Sequence, residues 1–207
     1  MRAALRSAAL FMTIALSACT GSKSGGGADT GQDMTLGNPK APVTLIEYAS
    51  VTCPHCAKWN AETFPAFKTK YVDTGKVHYV FRETLIHPEY DVIGYRLARC
   101  SGPKNYFHVI DAIMRSQDQI FAGDPRAAFL NIAKTTGMNE DQFNTCVNDE
   151  DAQKKLFDRA QKESSDYNVS GTPTFILNGK KIAESAEGAS IDQLSANIDP
   201  LLAKGPA

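Results

Sequence analysis

The most constraining feature is a pair of cysteines two residues apart, Cys53-Pro54-His55-Cys56, set where a strand ends and a helix begins. Upstream, Val43-Thr44-Leu45-Ile46-Glu47-Tyr48 has the β-branched richness of a buried strand. Downstream, Cys53 to Tyr71 shows helical spacing, with Trp59, Phe64 and Phe67 on the apolar side and a kink expected at Pro65. After a turn at Thr74-Gly75, Val77-His78-Tyr79-Val80-Phe81 reads as a second strand. Strand, helix, strand is the opening of a parallel-sheet α/β fold.

The position of the cysteine pair sets its chemistry. At a helix start the first sulfur meets the positive end of the helix dipole and backbone N–H groups without partners, and both favour thiolate over thiol. His55 adds an imidazole that can donate to the same anion or sit charged near it. The second sulfur, one turn on, can close the ring. Stabilising the reduced form as a Cys53 thiolate makes the Cys53–Cys56 disulfide easy to reduce, and so a good oxidant. The blander readings are a zinc half-site and a static disulfide. Zinc needs two more ligands at comparable spacing, and no second CxxC or paired histidine supplies them, so no metal is expected. A static disulfide rarely spans two residues at a helix start. Redox activity is the expectation.

From about Tyr90 to Tyr167 the pattern is helix after helix: Tyr90 to Cys100, Lys104 to Ser116, Pro125 to Thr136, Asn139 to Val147 and Glu150 to Asp166. Asp124 is an N-cap for the third of these and Gly137 follows its end. Strands resume at Thr174-Phe175-Ile176-Leu177, turn at Asn178-Gly179 and return through Lys181-Ile182; Ser190 then caps a helix to about Leu202. A helical block of roughly 75 residues thus interrupts an α/β domain. No internal repeat is visible.

At the other end, Arg2 and Arg6 precede an apolar run from Ala8 to Leu16, a secretory signal too short for a spanning helix of about 20 residues. Leu16-Ser17-Ala18-Cys19 resembles the lipobox of bacterial lipoproteins, in which the cysteine is acylated and becomes the first mature residue. The alternative is ordinary cleavage nearby with a free cysteine. Residues 1–18 are therefore expected to be a lipoprotein signal peptide and Cys19 a lipid anchor. Residues 19–38, dominated by Gly, Ser, Thr and Asp, are expected to be a flexible tether. An apolar content of 43% excludes wholesale disorder, and 22 basic against 23 acidic residues argue against nucleic acid as a partner.

From about residue 37 to 203 the chain resembles the thioredoxin superfamily, and within it the DsbA-like thiol-disulfide oxidoreductases of bacterial envelopes. Cys53-Pro54-His55-Cys56, the later Gly171-Thr172-Pro173-Thr174-Phe175 and the helical block between them carry the resemblance. It implies an α/β thioredoxin fold, residues 39–89 and 168–204, with an inserted helical domain, 90–167. It further implies a cis Thr172-Pro173 peptide beside the sulfurs, where substrate backbone pairs. Glu47 matches the family's buried acid, which moves a proton to or from Cys56; the other reading is a strand-end glutamate facing solvent. The redox pair itself stands in for any cofactor. Implied partners are unfolded or reduced exported proteins, a membrane reoxidase of the DsbB type, and a membrane reached through the lipid anchor. The expected state is a monomer in the bacterial periplasm.

Cys100 and Cys146 remain, both in the helical block. A similar second disulfide occurs in some DsbA-like proteins, so a structural bridge is implied, two free buried thiols being the alternative. Trp59 is expected in the core, and His78, His87 and His108 on the surface or in packing. Two departures from the family pattern stand out: Ala49-Ser50-Val51-Thr52 replaces an aromatic-rich stretch, and threonine rather than valine precedes Pro173. Competing functions are a disulfide isomerase or reductase with a dedicated partner, and a non-enzymatic periplasmic chaperone or metallochaperone. The isomerase would need a dimerisation domain, for which the tether leaves no room.

Overall fold

The computed structural model describes residues 33–203. Strand β1 (Met34–Leu36) is followed by β2 (Val43–Ala49), α1 (Pro54–Glu62), α2 (Phe64–Phe67) and a π-helical turn over Lys68–Val72. The helical stretch expected from Cys53 to Tyr71, with a kink at Pro65, is divided at Thr63, just before Phe64-Pro65, because proline lacks the N–H that would continue the ladder. Next come β3 (Val77–Glu83) and a helical run: α3 (Pro88–Cys100), α4 (Tyr106–Arg115), α5 (Gln117–Ala122), α6 (Pro125–Thr135), α7 (Glu140–Val147) and α8 (Glu150–Asp166). The chain closes with β4 (Thr174–Leu177), β5 (Lys180–Ala183), a 3-10 turn over Glu187–Ala189 and α9 (Ile191–Ala203).

The five strands form one mixed sheet in the order β1-β3-β2-β4-β5. Only β2 and β3 are parallel, joined by the α1 crossover that the sequence pattern predicts; the other pairs are antiparallel. Between β4 and β5, Asn178 and Gly179 both adopt positive φ, as a two-residue hairpin turn of this kind requires. The sheet and helical insertion together are a thioredoxin fold with an inserted helical region, as the resemblance implies.

One boundary differs from expectation. The tether expected over 19–38 does not run to its end as loose chain, because Met34–Leu36 pair antiparallel with Phe81, Val80 and Tyr79 of β3. Asp33 and Arg82 form a buried ion pair at 3.2 Å that fixes this edge strand, and Gly37 turns out of it with φ +86°. A three-residue strand carries too little apolar pattern to stand out from a polar stretch. Residues 1–32, which include the signal segment, Cys19 and the first part of the tether, lie outside the described residues.

Packing ties the insertion to the sheet. Glu83, at the end of β3, accepts from Arg99 Nε on α3 at 2.7 Å and from Tyr106 on α4 at 2.8 Å. It also pairs with Arg159 on α8. Gly94 lets α3 approach the turn after β2: a Cβ there would stand 3.0 Å from a Val51 methyl. Trp59 packs at a tilt against Phe64, Phe67 and Phe175 and donates its indole N–H to the Ala189 carbonyl at 2.8 Å. Trp59 is core, His78 is buried in packing and His108 is exposed. Among the described residues no helix is long and apolar enough to cross a membrane.

Candidate active site

The cysteine pair sits where β2 leaves the sheet and α1 begins. Cys53 is the extended N-cap residue of α1 (φ −81°, ψ 122°) and Pro54 occupies the first turn, where its missing N–H costs nothing. Cys53 is 6% exposed and Cys56 is fully buried, one turn into the helix. Both are thiols in this structure. The peptide bond between Thr172 and Pro173 is cis, and the Cys53 thiol donates to the Thr172 carbonyl oxygen at 3.4 Å. The two sequence motifs, far apart in the chain, therefore meet.

Local hydrogen bonding separates the two thiols. The Cys53 thiol is lowered to about 5, first because the Cys56 thiol donates to its anion; burial opposes this, and the Thr172 hydroxyl and the backbone N–H groups of Cys56 and His55 add to it. That Thr172 hydroxyl is buried and has no hydrogen-bond partner in the structure. Burial pushes the Cys56 thiol well up, and the adjoining Cys53 and Glu47 charges raise it further. His55 meets Cys53 through its backbone N–H, whereas its ring is exposed. The sequence pattern pointed to the imidazole; the helix N-terminus also supplies this residue's N–H.

Glu47 lies in the middle of β2, opposite Phe81 on one side and Phe175 on the other, and is 1% exposed. It does not face solvent. Burial raises its carboxyl to about 8, only partly offset by the Tyr79 hydroxyl that donates to Oε2. Oε1 has no protein partner. This atom's residue borders a cavity of about 240 Å³ between α1, α2 and α4, with Asn60, Lys68, Asp111 and Arg115 among its polar lining. A protonated carboxyl next to a high-lying thiol is a group suited to proton transfer.

Sequence reading misses several neighbours. Asp91, wholly buried, accepts from Ser50 Oγ at 2.8 Å and from the Thr52 N–H at 3.2 Å, in the turn leading to Cys53. His87 Nδ1 lies 3.0 Å from Thr52 Oγ1. Gln117, in a short helix that the sequence pattern does not announce, reaches the carbonyl of Cys53. An acid in the first turn of a helix reads as a dipole partner; nothing local reveals that α3 carries it under the turn. Ile86 and Phe121, the large exposed apolar side chains among the described residues, flank this region. Ile86 borders a cavity of about 450 Å³ with Thr172, Gly171, Pro88 and Phe157, and Phe121 packs on the His87 ring.

Away from this site, Cys100 on α3 and Cys146 on α7 are joined in a disulfide with Cα atoms 6.3 Å apart. Among the described residues no group of three or more His, Cys, Asp or Glu could hold a metal ion.

Comparison with known proteins agrees with this geometry. Residues 29–199 match the family model described as Thioredoxin. A Rickettsia typhi protein named as a protein-disulfide oxidoreductase is 35% identical over 172 residues, 82% of this chain and 62% of that protein. The chain thus spans about three fifths of the length of the curated relatives it matches first. Disulfide bond formation protein D of Bacillus subtilis is 25% identical over 79% of this chain and 74% of its own length. The crystal structure of alpha-DsbA1 from Wolbachia pipientis superposes with a TM-score of 0.73 at 30% identity, covering 84% of this chain and 92% of that one. With its cysteine pair at the start of α1, its cis-proline opposite and its helical insertion, the chain belongs to the thioredoxin family, on its DsbA-like branch.

Proposed function

We propose that this protein is an envelope thiol-disulfide oxidoreductase that works as an oxidase, donating the Cys53–Cys56 disulfide to exported proteins. The carrying observation is the placement of the pair: Cys53 caps α1 beside the Thr172 carbonyl, which goes with a thiol lowered to about 5, while Cys56 is fully buried and its thiol is pushed well up. A stabilised Cys53 thiolate favours the reduced pair, which makes the disulfide an acceptor of electrons.

In the oxidised protein a client thiolate attacks Cys53 Sγ. A client–Cys53 disulfide forms, the Cys53–Cys56 bond breaks, and Cys56 leaves as a thiolate. Cys56 is the basic sulfur and takes up a proton, for which Glu47 is the buried donor. A second client thiolate then attacks the client sulfur of the mixed disulfide and expels Cys53 as the stabilised thiolate. Two client cysteines are oxidised to a disulfide and the protein pair is reduced. Thr172 and Pro173 border the sulfur and offer backbone to an extended client segment. His55 donates its backbone N–H to the Cys53 thiolate, and Pro54 starts the helix that presents it. Cys100–Cys146 braces the insertion.

A membrane reoxidase of the DsbB type returns the pair to the disulfide, and Cys19 acylation holds the protein at a membrane facing the periplasm. The cycle uses no cofactor beyond the cysteines and works as a monomer. Trapping tests the reading: Cys56→Ala should accumulate mixed disulfides with many exported proteins, and Cys53→Ser should abolish them. A single trapped partner would instead mark a dedicated reductase or isomerase. Client protection that survives Cys53→Ser would mark a chaperone.

A further inference from the structure

We propose that Gln117 and Asp91, both supplied by the helical insertion, are positioning residues that clamp the turn carrying Cys53 so that its sulfur stays within reach of the donors on α1 and on the Thr172 loop. The proposal rests on the redox reading of Cys53 given above.

The clamp grips the turn from Ala49 to Cys53. Asp91 Oδ1 accepts from Ser50 Oγ at 2.8 Å, Thr52 N–H at 3.2 Å and Thr52 Oγ1 at 3.1 Å. Its Oδ2 accepts from the backbone of Ile86 at 2.7 Å and His87 at 2.9 Å. Five donors share the carboxylate charge, which limits its repulsion of an anion nearby. Gln117 spans the turn up to the sulfur's own residue: its amide Nε2 donates to the Val51 carbonyl at 2.9 Å and to the Cys53 carbonyl at 3.1 Å. Tyr95, one turn after Asp91 on α3, completes the grip by donating to the Ala49 carbonyl at 2.7 Å.

The Gln117 bond to Cys53 is more than the satisfaction of a buried group. That carbonyl already accepts the first helical bond of α1, from Ala57 N–H at 3.0 Å. A second donor adds orientation to a group that was not orphaned. Orientation matters because the partners of the Cys53 sulfur sit on two separate pieces, the first turn of α1 and the Thr172 loop. The sulfur serves both only when the backbone of residues 52 and 53 is held in one place. Loosening that backbone weakens the thiolate's contacts, while the Cys53–Cys56 disulfide, held by its covalent bond, loses little. The insertion would thereby set the redox balance of a pair that belongs to the thioredoxin part.

The test is Gln117→Leu, which keeps bulk and removes both hydrogen bonds of this half-buried side chain. Two quantities are read: the thiolate absorbance of Cys53 against pH, and the equilibrium of the Cys53–Cys56 pair with glutathione. The expected result is a thiolate titration moved upward and an equilibrium less oxidising by about 2- to 10-fold, the worth of one hydrogen bond felt in one redox state. Asp91→Asn should move both in the same direction. If Gln117→Leu does not fold, Gln117→Asn, too short to reach both carbonyls, reads the same quantities. A folded variant with the wild-type titration and equilibrium, changed only in thermal stability, overturns the clamp. Wild-type protein that exchanges no disulfide with glutathione overturns the functional reading beneath it instead.

Discussion

The Cys53 thiol lies 3.4 Å from the Thr172 carbonyl oxygen, across 119 positions of sequence. The hydroxyl of the same threonine is buried without a hydrogen-bond partner, and it lies where it favours the Cys53 thiolate. Thr172→Val should therefore raise the Cys53 thiol and make the disulfide less oxidising, by about tenfold for the loss of a hydrogen bond to a charged group. Thiolate absorbance against pH and a glutathione equilibrium measure this. Unchanged values would show that the hydroxyl serves packing alone.

Cys53 also gives the reduced protein a pH dependence that the oxidised form lacks. Its thiol is lowered from 9.0 to about 5, chiefly by the Cys56 hydrogen bond, so the folded state holds its proton more weakly than the unfolded chain. The resulting stability is fully present above about pH 9 and is lost as pH falls through 5. Denaturant midpoints of the two forms should diverge in favour of the reduced form as pH rises across that window. Parallel midpoints would contradict the assignment.

Glu47 has the opposite sign. Burial raises its carboxyl from 4.5 to about 8, so the folded state holds this proton more tightly. Its contribution is complete below pH 4.5 and drains away as pH rises toward 8, by about 3 kcal/mol at pH 7. Glu47→Gln keeps the shape and removes the titration. In the oxidised protein, where no thiol titrates, the variant should lose less stability than wild type between pH 4.5 and 8. Its disulfide exchange should slow, because Cys56 loses its proton donor. Identical pH profiles would remove Glu47 from both roles.

The Asp33–Arg82 pair anchors the edge strand. Both side chains are buried, and Arg82 also donates to the Tyr48 hydroxyl at 2.7 Å. Asp33→Ala leaves a buried guanidinium without its hydrogen-bonded carboxylate, at a cost of about 3 kcal/mol. Urea unfolding should show that loss, and amide exchange should speed first in residues 34–36. A variant as stable as wild type would mean the strand is held by its backbone pairing alone.

Opening the Cys100–Cys146 bridge releases a loop whose ends are 46 residues apart. The chain-entropy model assigns such a closure about 4 kcal/mol. Replacing both by alanine should lower the urea midpoint by a comparable amount, and reductant should no longer lower it further. A midpoint within error of wild type would show that packing of α3 on α7 suffices.

The sequence by itself determined the elements and the chemistry. A CxxC after a β-branched strand, a helical block and a Gly-Thr-Pro before a last strand are local signals: turn residues, periodicity and the sulfur pair are written into neighbouring positions. The sequence could not show what lies against them. Strand β1 escaped notice because three residues make no period, and α5 because six residues make less than two turns. Asp91 looks like any acid in a first helical turn, and Gln117 like a surface amide. Glu47 could be narrowed only to two readings, since an acid within a strand can face either way. Tertiary structure decided these cases because burial and hydrogen bonding depend on what other elements bring. β3 and β4 close over Glu47, and α3 and α5 carry Asp91 and Gln117 beneath the turn of Cys53. The same turn receives its threonine from a segment more than a hundred residues away. Local sequence carries propensity; the acidity of a sulfur and the proton affinity of a buried acid are set by distance in space, which only the folded chain supplies.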